Sequence, residues 1–496
     1  MSAAGAAASG TFVVALVVYV RTLLPGPSVG DWGEMQLIPA QFGVPHPTGY
    51  PLYILLGKVF SLLPVGSVAS RADLLSAVCA AGAAAISVLI STRLGVRPVI
   101  AGLAGLTLAL TGTMWTEATF AEVNALHVLL VAALIHRALV WRADRRDSDL
   151  RLGGLVAGLA LANHPLAISV VPIVALWVLV DALRRLRTRG RLLIQAAALT
   201  LLGLSLYVVI PLRALAGPPS VYEALLTWDG LSSLVTGAQF RSDMHVGTVH
   251  SLAVAVREVP NVVGQLAAAS NALFITAGVL GAVLLLARDR WAGSLFALLV
   301  ATNIYLFANY VGDLDHYLLL TWVILSVWTA YLAEAVIEAG SRLRGPSFAR
   351  FQVILVLLPL SMALGNWSTH DESENRAGEG LARAVFRELP PDAVLLTYWD
   401  ALTTLSYVHC IEHERPDVAL RAFDPAARVT CDPIEGRLED VARTRPLYAL
   451  FAVEGELDRV RGSFDLVPGP SIAVPYGHRT LDHAATLFRL DLKSQP

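Results

Sequence analysis

The sequence predicts an all-α membrane bundle with about eleven transmembrane helices, followed by a small C-terminal α/β domain outside the cytoplasm. Composition is the first reason. Hydrophobic residues make up 55% of the 496 residues and charged residues only 15%, whereas a soluble chain carries about 25% charged residues. The second reason is that apolar runs fill residues 3–366, while the remainder has the composition of a soluble protein. We therefore expect a multi-span membrane domain at 1–366 and a soluble domain at 367–496.

Eleven apolar segments are long enough, or nearly long enough, to cross the hydrocarbon core, which takes about 20 helical residues. They are 3–24, 72–92, 96–113, 123–141, 152–163, 166–181, 192–211, 263–287, 291–309, 316–338 and 350–366. The apolar run from Phe12 to Leu24 has no basic region before it and no evident cleavage site. We therefore interpret it as the first membrane helix and not as a removed signal peptide.

Arginines collect in alternate connections between these segments. They lie at Arg93 and Arg97, from Arg142 to Arg151, from Arg184 to Arg191, at Arg288 and Arg290, and from Arg342 to Arg350. Cytoplasmic loops carry the excess of Arg and Lys. The alternation therefore predicts eleven crossings, a cytoplasmic N-terminus and an extracytoplasmic tail, and the expected location is a bacterial plasma membrane.

Residues 152–181 must then form a hairpin, because both ends of this segment carry arginine clusters. Its first arm of twelve residues rises about 18 Å, which is less than the bilayer core of about 30 Å. The tip, Asn163-His164-Pro165, is expected below the outer surface, where polar groups are tolerated inside protein or a wet cavity. A tilted helix break with a hydrogen-bonded histidine is the structural alternative. Gly154 and Gly158 match a small-residue pattern that indicates a close helical neighbour.

The first outer loop, residues 25–71, contains a second short apolar segment at 51–63. This segment is too short to cross the bilayer. We expect it to form a helix that lies in the membrane interface, with Lys58 extending towards the headgroups.

Candidate strands and helices alternate after Trp367. Strands are predicted at 393–398, 418–423, 447–453 and 487–492, with a helix at about 401–412. This alternation is typical of a small α/β domain.

Several classes of site and partner lack support in the sequence. The net charge of −2 argues against a nucleic-acid partner. No phosphate-binding P-loop, His-Glu-x-x-His or Gly-x-Ser-x-Gly motif is found. Cys79, Cys410 and Cys431 give no metal or redox motif. Cys79 is expected to be buried, and the sequence leaves open whether Cys410 and Cys431 pair.

Polar and ionisable residues gather instead on the predicted outer side, where such residues are functional candidates. They are Asp31, Glu34, His46, Glu117, Glu122, His127, Asn163, His164, Arg213, Asp229, Arg241, Asp243, His245, Asp313, Asp315 and His316.

The strongest local motif is Gly30-Asp31-Trp32-Gly33-Glu34, a few residues beyond the first span. The glycines allow a close approach of backbone to ligand. A carboxylate at headgroup depth, partly desolvated, can act as a general base on an acceptor hydroxyl. A turn that leads into a helix, with acids favoured by the helix dipole, is the structural alternative.

Two further groups can bind a substrate at this side. The proline-rich stretch from Val44 to Pro51 presents His46 and Tyr50 in a preset geometry, as a binding loop or a plain turn would. Arg213 ends the seventh predicted span at its outer end, and Arg241 lies in an outer loop. Either arginine can hold a phosphate bidentately or serve as an interfacial anchor.

Four stretches together resemble the protein O-mannosyltransferase-like transmembrane family, which belongs to the GT-C class of glycosyltransferases. They are DWGEMQLIPAQFGVPHPTGYPLY, GTMWTEATFAEVNALH, GLALANHP and IPLRALAGPP, with a looser match at LTYWDALTTLSYVHCIEHERPDV. The resemblance runs from about residue 12 to 320. Trp32, Thr48 and Asn124 depart from the family pattern.

The resemblance implies a GT-C-like bundle whose first outer loop holds the acidic catalytic residue, here Asp31, with Glu34 beside it. It implies an inverting transfer of mannose or another hexose from a polyprenyl-phosphate carrier to a protein Ser/Thr or glycan hydroxyl. Substrate-binding roles are expected for His46, Tyr50, Glu117, Glu122, His127, Asn163, His164, Arg213 and Arg241. A divalent cation held by the glutamates is left open, and no metal ligand is assigned.

Two other functions fit the same residues. A transporter or flippase of lipid-linked sugars also has broken helices and buried polar residues. Against it, no inverted repeat is evident, and the polar residues crowd to one side of the membrane instead of its midplane. The third candidate is an assembly scaffold that uses the soluble tail as a binding module.

Overall fold

A computed structural model gives the structure of the protein. It describes residues 2–183, 186–222, 225, 227–243, 251–268, 270–310, 315–423, 427–434, 436–451, 458, 460–473 and 484–493. His245 and Asp313, two of the outer-side residues, lie outside this described part of the chain.

The described residues are mostly helical. The α-helices are α1 (Ala3–Arg21), α2 (Gly30–Gln41), α3 (Pro51–Ser61), α4 (Val68–Arg93), α5 (Pro98–Ala109), α6 (Gly112–Thr119), α7 (Val123–Asp144), α8 (Asp147–Leu161), α9 (Ala167–Leu183), α10 (Leu186–Leu204), α11 (Val209–Leu215), α12 (Trp228–Thr236), α13 (Ser251–Ala268), α14 (Ala272–Arg288), α15 (Arg290–Ala308), α16 (Leu319–Arg344), α17 (Leu357–His370), α18 (Ala377–Glu388), α19 (Trp399–Ile411) and α20 (Leu438–Ala442). Short 3-10 helices lie at Ser205–Val208, Ala238–Asp243, Asp315–Leu318 and Pro346–Val356.

The strands are short and lie mainly in the tail. They are β1 (Val221–Tyr222), β2 (Val394–Thr397), β3 (Ala419–Ala422), β4 (Ala427–Arg428), β5 (Leu447–Phe451), β6 (Phe464–Ala473) and β7 (Ala484–Leu492).

The membrane bundle is confirmed, but the count of eleven crossings is not. Each predicted apolar segment falls on helix, so the chain is a multi-pass membrane protein. Among the described residues, seven helices are long and apolar enough to cross a membrane, or eight with the pair α5 and α6. That pair is bent by 67°. The shortfall comes from short helices, since α8 has 15 residues and α9 and α14 have 17 each.

One predicted span begins at the wrong residue. The segment 263–287 was expected as a single helix, but α13 ends at Ala268 and α14 begins at Ala272. Asn271 is the reason for the new start, because its side chain accepts a hydrogen bond from the Phe274 backbone N–H at 2.9 Å. Such a cap satisfies a backbone donor that the first turn of a helix leaves unpaired.

The hairpin between α8 and α9 is present, and its first arm packs closely on α10. A Cβ atom added at Gly154 would collide with the Ala196 carbonyl, and one added at Gly158 would collide with the Thr200 carbonyl. The small-residue pattern thus marks a close helical neighbour, as predicted. This contact holds the first arm of the hairpin against α10.

The short helix α3 is also present, and its 11 residues are too few to cross a bilayer. Lys58 makes a hydrogen bond within the protein, and its extension towards the headgroups stays a prediction. Its ammonium group donates to the Ala40 carbonyl at 2.6 Å, near the end of α2. An unpaired carbonyl at a helix C-terminus is a good partner for a cation, so Lys58 joins α3 to α2.

The tail contains a five-stranded sheet with the order β3-β2-β5-β7-β6. β2 is parallel to β3 and β5, while β7 is antiparallel to β5 and β6. The four predicted strands are found, and β6 was missed because Pro468 and Pro470 interrupt its pattern. Proline is tolerated there since β6 is an edge strand. A disulfide joins Cys410 to Cys431, and Cys79 is buried.

The tail and the first outer loop share one hydrophobic core. Val29, Leu37 and Ile38 of the loop are buried together with Leu402 and Leu405 of α19. Since α17 extends to His370, the domain boundary at 366/367 stays a prediction. The shared core places α19 directly against α2.

Candidate active site

The helix α2 presents two carboxylates on one face. Asp31 lies in its first turn, where the helix dipole favours an acid. Glu34 follows three residues later and therefore projects from the same side. Their environments differ strongly, because the Asp31 side chain is 54% exposed and the Glu34 side chain is fully buried.

Glu34 is bound by His46 of the proline-rich loop. Glu34 Oε1 accepts from the His46 backbone N–H at 2.9 Å, and Glu34 Oε2 pairs with His46 Nδ1. His46 Nε2 lies 3.1 Å from the Tyr50 hydroxyl and 3.9 Å from Asp31 Oδ2. Asp31, Glu34 and His46 are called the acid cluster below.

The hydrogen bonds of the acid cluster indicate a charged imidazole. Tyr50 donates its only hydroxyl proton to the Pro47 carbonyl at 2.9 Å, so His46 Nε2 must donate to Tyr50. Burial lowers the pKa of His46, but the carboxylates of Glu34 and Asp31 outweigh it and raise that pKa to about 10. Burial also raises the pKa of Glu34, against the opposing effect of His46. The cluster thus holds a buried ion pair beside an exposed carboxylate.

A second group of rings lies behind the acid cluster. Tyr50 stacks on His164 of the hairpin tip, with ring centroids 5.7 Å apart. His164 in turn lies 5.3 Å from His127 and 6.0 Å from Tyr317. Tyr50, His127, His164 and Tyr317 are called the histidine cluster below. The structure therefore brings together predicted residues from three separate motifs.

Some polar atoms at the hairpin tip make hydrogen bonds within the protein, and others have no described partner. Asn163 Nδ2 donates to the Val123 carbonyl at 3.1 Å, and the Leu166 backbone N–H donates to His164 Nδ1 at 3.2 Å. Asn163 Oδ1 and His127 Nδ1 are buried and have no hydrogen-bond partner among the described residues. Buried polar atoms are nearly always paired, so these two atoms are suited to contact a ligand.

Glu117 and Glu122, the two glutamates of the stretch GTMWTEATFAEVNALH, are buried. Glu122 Oε1 accepts from the Val123 N–H at 2.7 Å and caps α7. Burial, followed by the charge of Asp31, raises the pKa of Glu122 to about 8. Its charge also acts on His46. Glu117 lies in α6 with 4% exposure and interacts electrostatically with Tyr317, so both glutamates border the two clusters.

The two arginines predicted to bind phosphate make their described contacts outside the acid cluster. Arg213 Nε donates to the Phe42 carbonyl at 2.7 Å, and its guanidinium lies 4.4 Å from the centroid of the Phe42 ring. Arg241 is exposed and donates to Thr236 Oγ1 at 3.2 Å. Among the contacts of the described residues, neither arginine touches the acid cluster. Arg213 supports the loop that carries His46, because Phe42 ends α2 just before that loop.

The glycines beside Asp31 pack against the tail. Gly30 has a φ of +60°, and a Cβ added there would lie 2.7 Å from Asp400 Oδ1. A Cβ added at Gly33 would lie 2.8 Å from Thr403 Oγ1. Both glycines thus let α19 of the tail come close to α2, and a close approach of a ligand stays a prediction.

Sequence reasoning missed two residues of the site, Tyr317 of the histidine cluster and Trp399 beside the acid cluster. Trp399, the first residue of α19, donates its indole N–H to Asp31 Oδ1 at 2.7 Å. The signal that could have found it is a polar and aromatic run, Tyr398-Trp399-Asp400, directly after the buried strand β2. Residues at the carboxyl end of such a strand commonly contribute to sites.

Asp31, Glu34 and His46 each offer one ligand atom within 4.8 Å of the others, which raises the question of a metal ion. The donor set fits poorly, because both oxygens of Glu34 accept from His46 and Asp31 Oδ1 accepts from Trp399. Only Asp31 Oδ2 is left for a cation, and a bound His46 proton would repel it.

A small sheet holds the loop of His46 from the other side. β1 pairs antiparallel with β4, and Val44 forms a bridge with Val221. β4 is close in sequence to Cys431, which the disulfide joins to α19. The tail therefore contacts both elements that carry the acid cluster.

Comparisons with known proteins agree with this architecture. Residues 31–187 match the family model of the protein O-mannosyl-transferase TMEM260 N-terminal domain. Protein O-mannosyl-transferase TMEM260 of Mus musculus is 27% identical over 84% of this chain and 62% of its own length. Its Dictyostelium discoideum counterpart is 21% identical over 83% of this chain and 56% of its own length. The chain thus spans roughly three fifths of the length of these relatives.

Solved structures give the same fold. ArnT from Cupriavidus metallidurans in the apo state superposes with a TM-score of 0.61, 14% identity and 98% coverage of each chain. ArnT bound to undecaprenyl phosphate gives 0.60, 12% and 97% of each chain. These likenesses concern the fold alone, and they show that the chain has an ArnT-like fold. The chain is therefore similar to the protein O-mannosyl-transferase TMEM260 family over most of its length, and the family resemblance predicted from its motifs is confirmed.

Proposed function

We propose that this protein is a membrane glycosyltransferase that moves a sugar from a polyprenyl-phosphate carrier to a hydroxyl acceptor. The observation that carries the proposal is the acid cluster, in which one exposed carboxylate, Asp31, lies beside a buried ion pair. The similarity to O-mannosyl-transferases and to the fold of a protein solved with undecaprenyl phosphate supports the same class.

The proposed reaction is a single displacement with inversion. Asp31 Oδ2 takes the proton of the acceptor hydroxyl as the oxygen attacks the anomeric carbon of the sugar. The bond between that carbon and the phosphate oxygen breaks, and its electron pair leaves with the polyprenyl phosphate. The new glycosidic bond forms on the opposite face of the ring.

His46 is the nearest positive charge to Asp31 in the acid cluster. Because the pKa of His46 is about 10, its imidazolium is present at neutral pH and can stabilise the negative charge that develops at the site. Glu34 keeps the imidazolium in place. Arg213 and Arg241 remain candidates for the carrier phosphate, through guanidinium atoms that their described bonds do not use.

The histidine cluster provides a surface for the sugar. Tyr50 and His164 offer ring faces, and sugars pack their apolar faces on such rings. His127 Nδ1 and Asn163 Oδ1 offer hydrogen bonds to sugar hydroxyls. Glu117 and Glu122, at the border of both clusters, are proposed to orient further hydroxyls.

The finer identity of the reaction is part of the proposal. The donor sugar is proposed to be mannose or another hexose, and the acceptor a protein Ser/Thr or a glycan. Transfer would occur at the outer membrane face, with the N-terminus in the cytoplasm and the tail outside. The divalent cation considered from the sequence stays a prediction, and no step here involves one.

The test is transfer of labelled sugar by purified protein in lipid vesicles. A panel of polyprenyl-phosphate sugars is offered with peptide and glycan acceptors, and label that leaves the lipid is measured. Asp31→Asn keeps the shape of the side chain and removes its basicity, so we expect transfer to fall about 10²- to 10⁴-fold. Asp147→Asn, an exposed acid in the first turn of α8, is the matched control and should transfer normally.

Each outcome discriminates between the candidate functions. Movement of the labelled lipid across the vesicle membrane without transfer would favour a flippase. Normal transfer by a folded Asp31→Asn protein would remove Asp31 as the base.

A further inference from the structure

The helix α19 of the tail is docked on the proposed catalytic helix by polar bonds as well as by the shared core. Thr404 Oγ1 donates at 2.6 Å to the carbonyl of Ser28, which lies two residues before α2. The Tyr407 hydroxyl accepts from the Ala69 backbone N–H at 2.8 Å, in the first turn of α4. These bonds are buried, and they hold α19 in one position relative to the first outer loop.

The first residue of this docked helix touches the proposed base directly. Trp399 donates to Asp31 Oδ1, and its ring stands edge-on to His46 at 6.2 Å and to Tyr222 at 5.9 Å. The interplanar angles are 90° and 84°. The ring is therefore held between the acid cluster and β1, and its N–H has a fixed direction.

An exposed carboxylate needs such a contact to be a good base. The Asp31 side chain is 54% exposed and would otherwise rotate about its side-chain torsions. One N–H on Oδ1 stops that rotation and leaves Oδ2 free, on the side that faces His46. Proton transfer requires the accepting oxygen within hydrogen-bond reach of the acceptor hydroxyl.

We propose that Trp399 is a positioning residue that fixes the Asp31 carboxylate for proton transfer, so that the tail completes the active site. This inference rests on the proposed function, because it assigns Trp399 a part in the same reaction. Under this inference the tail takes part in the reaction, whereas in the alternative design the soluble tail of a transferase only recruits partners. A misplaced catalytic group costs up to about 10²-fold in rate, and that sets the size of the expected effect.

The test compares Trp399→Phe with Trp228→Phe in the full-length protein. Phenylalanine keeps a ring against His46 and Tyr222 and removes the N–H donor. We expect kcat to fall about 10- to 100-fold, with KM for the donor and the thermal unfolding midpoint unchanged. Trp228 is 80% exposed, and its variant should match the wild type in all three measurements.

A spectroscopic measurement reports the contact without any turnover. With ¹⁵N-labelled tryptophan, the Trp399 indole resonance is identified by its loss in Trp399→Phe. We expect this resonance to shift in Asp31→Ala, which removes the acceptor, while the Trp228 resonance stays in place.

The two experiments separate this inference from the proposed function. Wild-type kcat in Trp399→Phe, or an indole resonance that ignores Asp31→Ala, would overturn the positioning role while transfer by the wild type stands. Absence of transfer by the wild type from every donor would reject the proposed function, and the indole measurement would still decide whether Trp399 holds Asp31.

Discussion

The acid cluster and the histidine cluster are neighbours, but they satisfy their polar atoms in opposite ways. In the acid cluster both oxygens of Glu34 and both ring nitrogens of His46 have partners. In the region of the histidine cluster, His127 Nδ1 and the adjacent Asn163 Oδ1 are buried without a partner among the described residues. In the described part of the chain, the buried polar atoms of Glu34 and His46 are thus all paired, whereas two buried atoms of the second region are not.

This difference suggests a division of labour. A fully bonded ion pair is preorganised, so it need not rearrange as charge develops in a reaction. Buried polar atoms that lack partners cost free energy until something binds them. We therefore expect mutations in the acid cluster to affect folding and rate, and mutations in the histidine cluster to affect substrate binding.

The largest effect is expected for Glu34→Ala. Removing this carboxylate leaves the His46 imidazolium buried beside fewer charges, and breaking a buried pair costs about 3–5 kcal/mol. The free energy of unfolding in detergent micelles measures the loss. Glu338→Ala, which breaks an exposed pair with Arg342, is the control and should cost less than about 1 kcal/mol. Equal losses in the two variants would contradict the comparison.

The next effect concerns pH. The pKa of His46 is raised from its ordinary value of 6.5 to about 10, so its stabilisation is complete below about pH 6.5 and is lost as pH rises through about 10. Stability should therefore fall by about 1 kcal/mol per pH unit across this window. The His46→Gln variant should lack this fall in stability with pH. It should keep the part of the pH dependence that comes from Glu122. A wild-type curve parallel to that of His46→Gln would contradict the assigned ion pair.

The smallest effect is expected for His127→Phe. Because His127 Nδ1 makes no described bond in the protein, its loss should leave the unfolding midpoint nearly unchanged. The loss of one hydrogen bond to a sugar should raise KM for the donor about tenfold. His136→Phe on the same helix is the contrast, since His136 Nδ1 accepts from Arg137 at 2.9 Å. That variant should lose stability and keep KM; the reverse pattern would remove His127 from the binding surface.

Much of the fold could be predicted because membrane helices have a simple physical signature. Each long apolar run falls on helix in the structure, and the arginine alternation predicted the hairpin of α8 and α9. The break before α14 was missed, since one capping asparagine inside an apolar run changes no hydropathy average. β6 was missed because prolines weaken a strand pattern that an edge position tolerates.

The site was predictable where its residues are close in sequence. Asp31, Glu34 and His46 lie in one motif, and the geometry of α2 alone places the two acids on one side. Trp399 lies 368 positions from Asp31, and no local pattern reports a contact over that separation. Arg213 was assigned to phosphate from its charge, whereas its position over Phe42 depends on tertiary packing.

The contact between Gly158 and Thr200 has a consequence for the evolution and engineering of this protein. His164, which stacks on Tyr50, follows a helix whose backbone touches that of α10 at glycines that carry no side chain. Even a methyl group at Gly158 would collide with the Thr200 carbonyl and push the two helices apart, which would displace the hairpin that carries His164. Changes in the preferred donor should therefore arise from substitutions of the ring residues of the histidine cluster. Substitutions of Gly158 should not be tolerated.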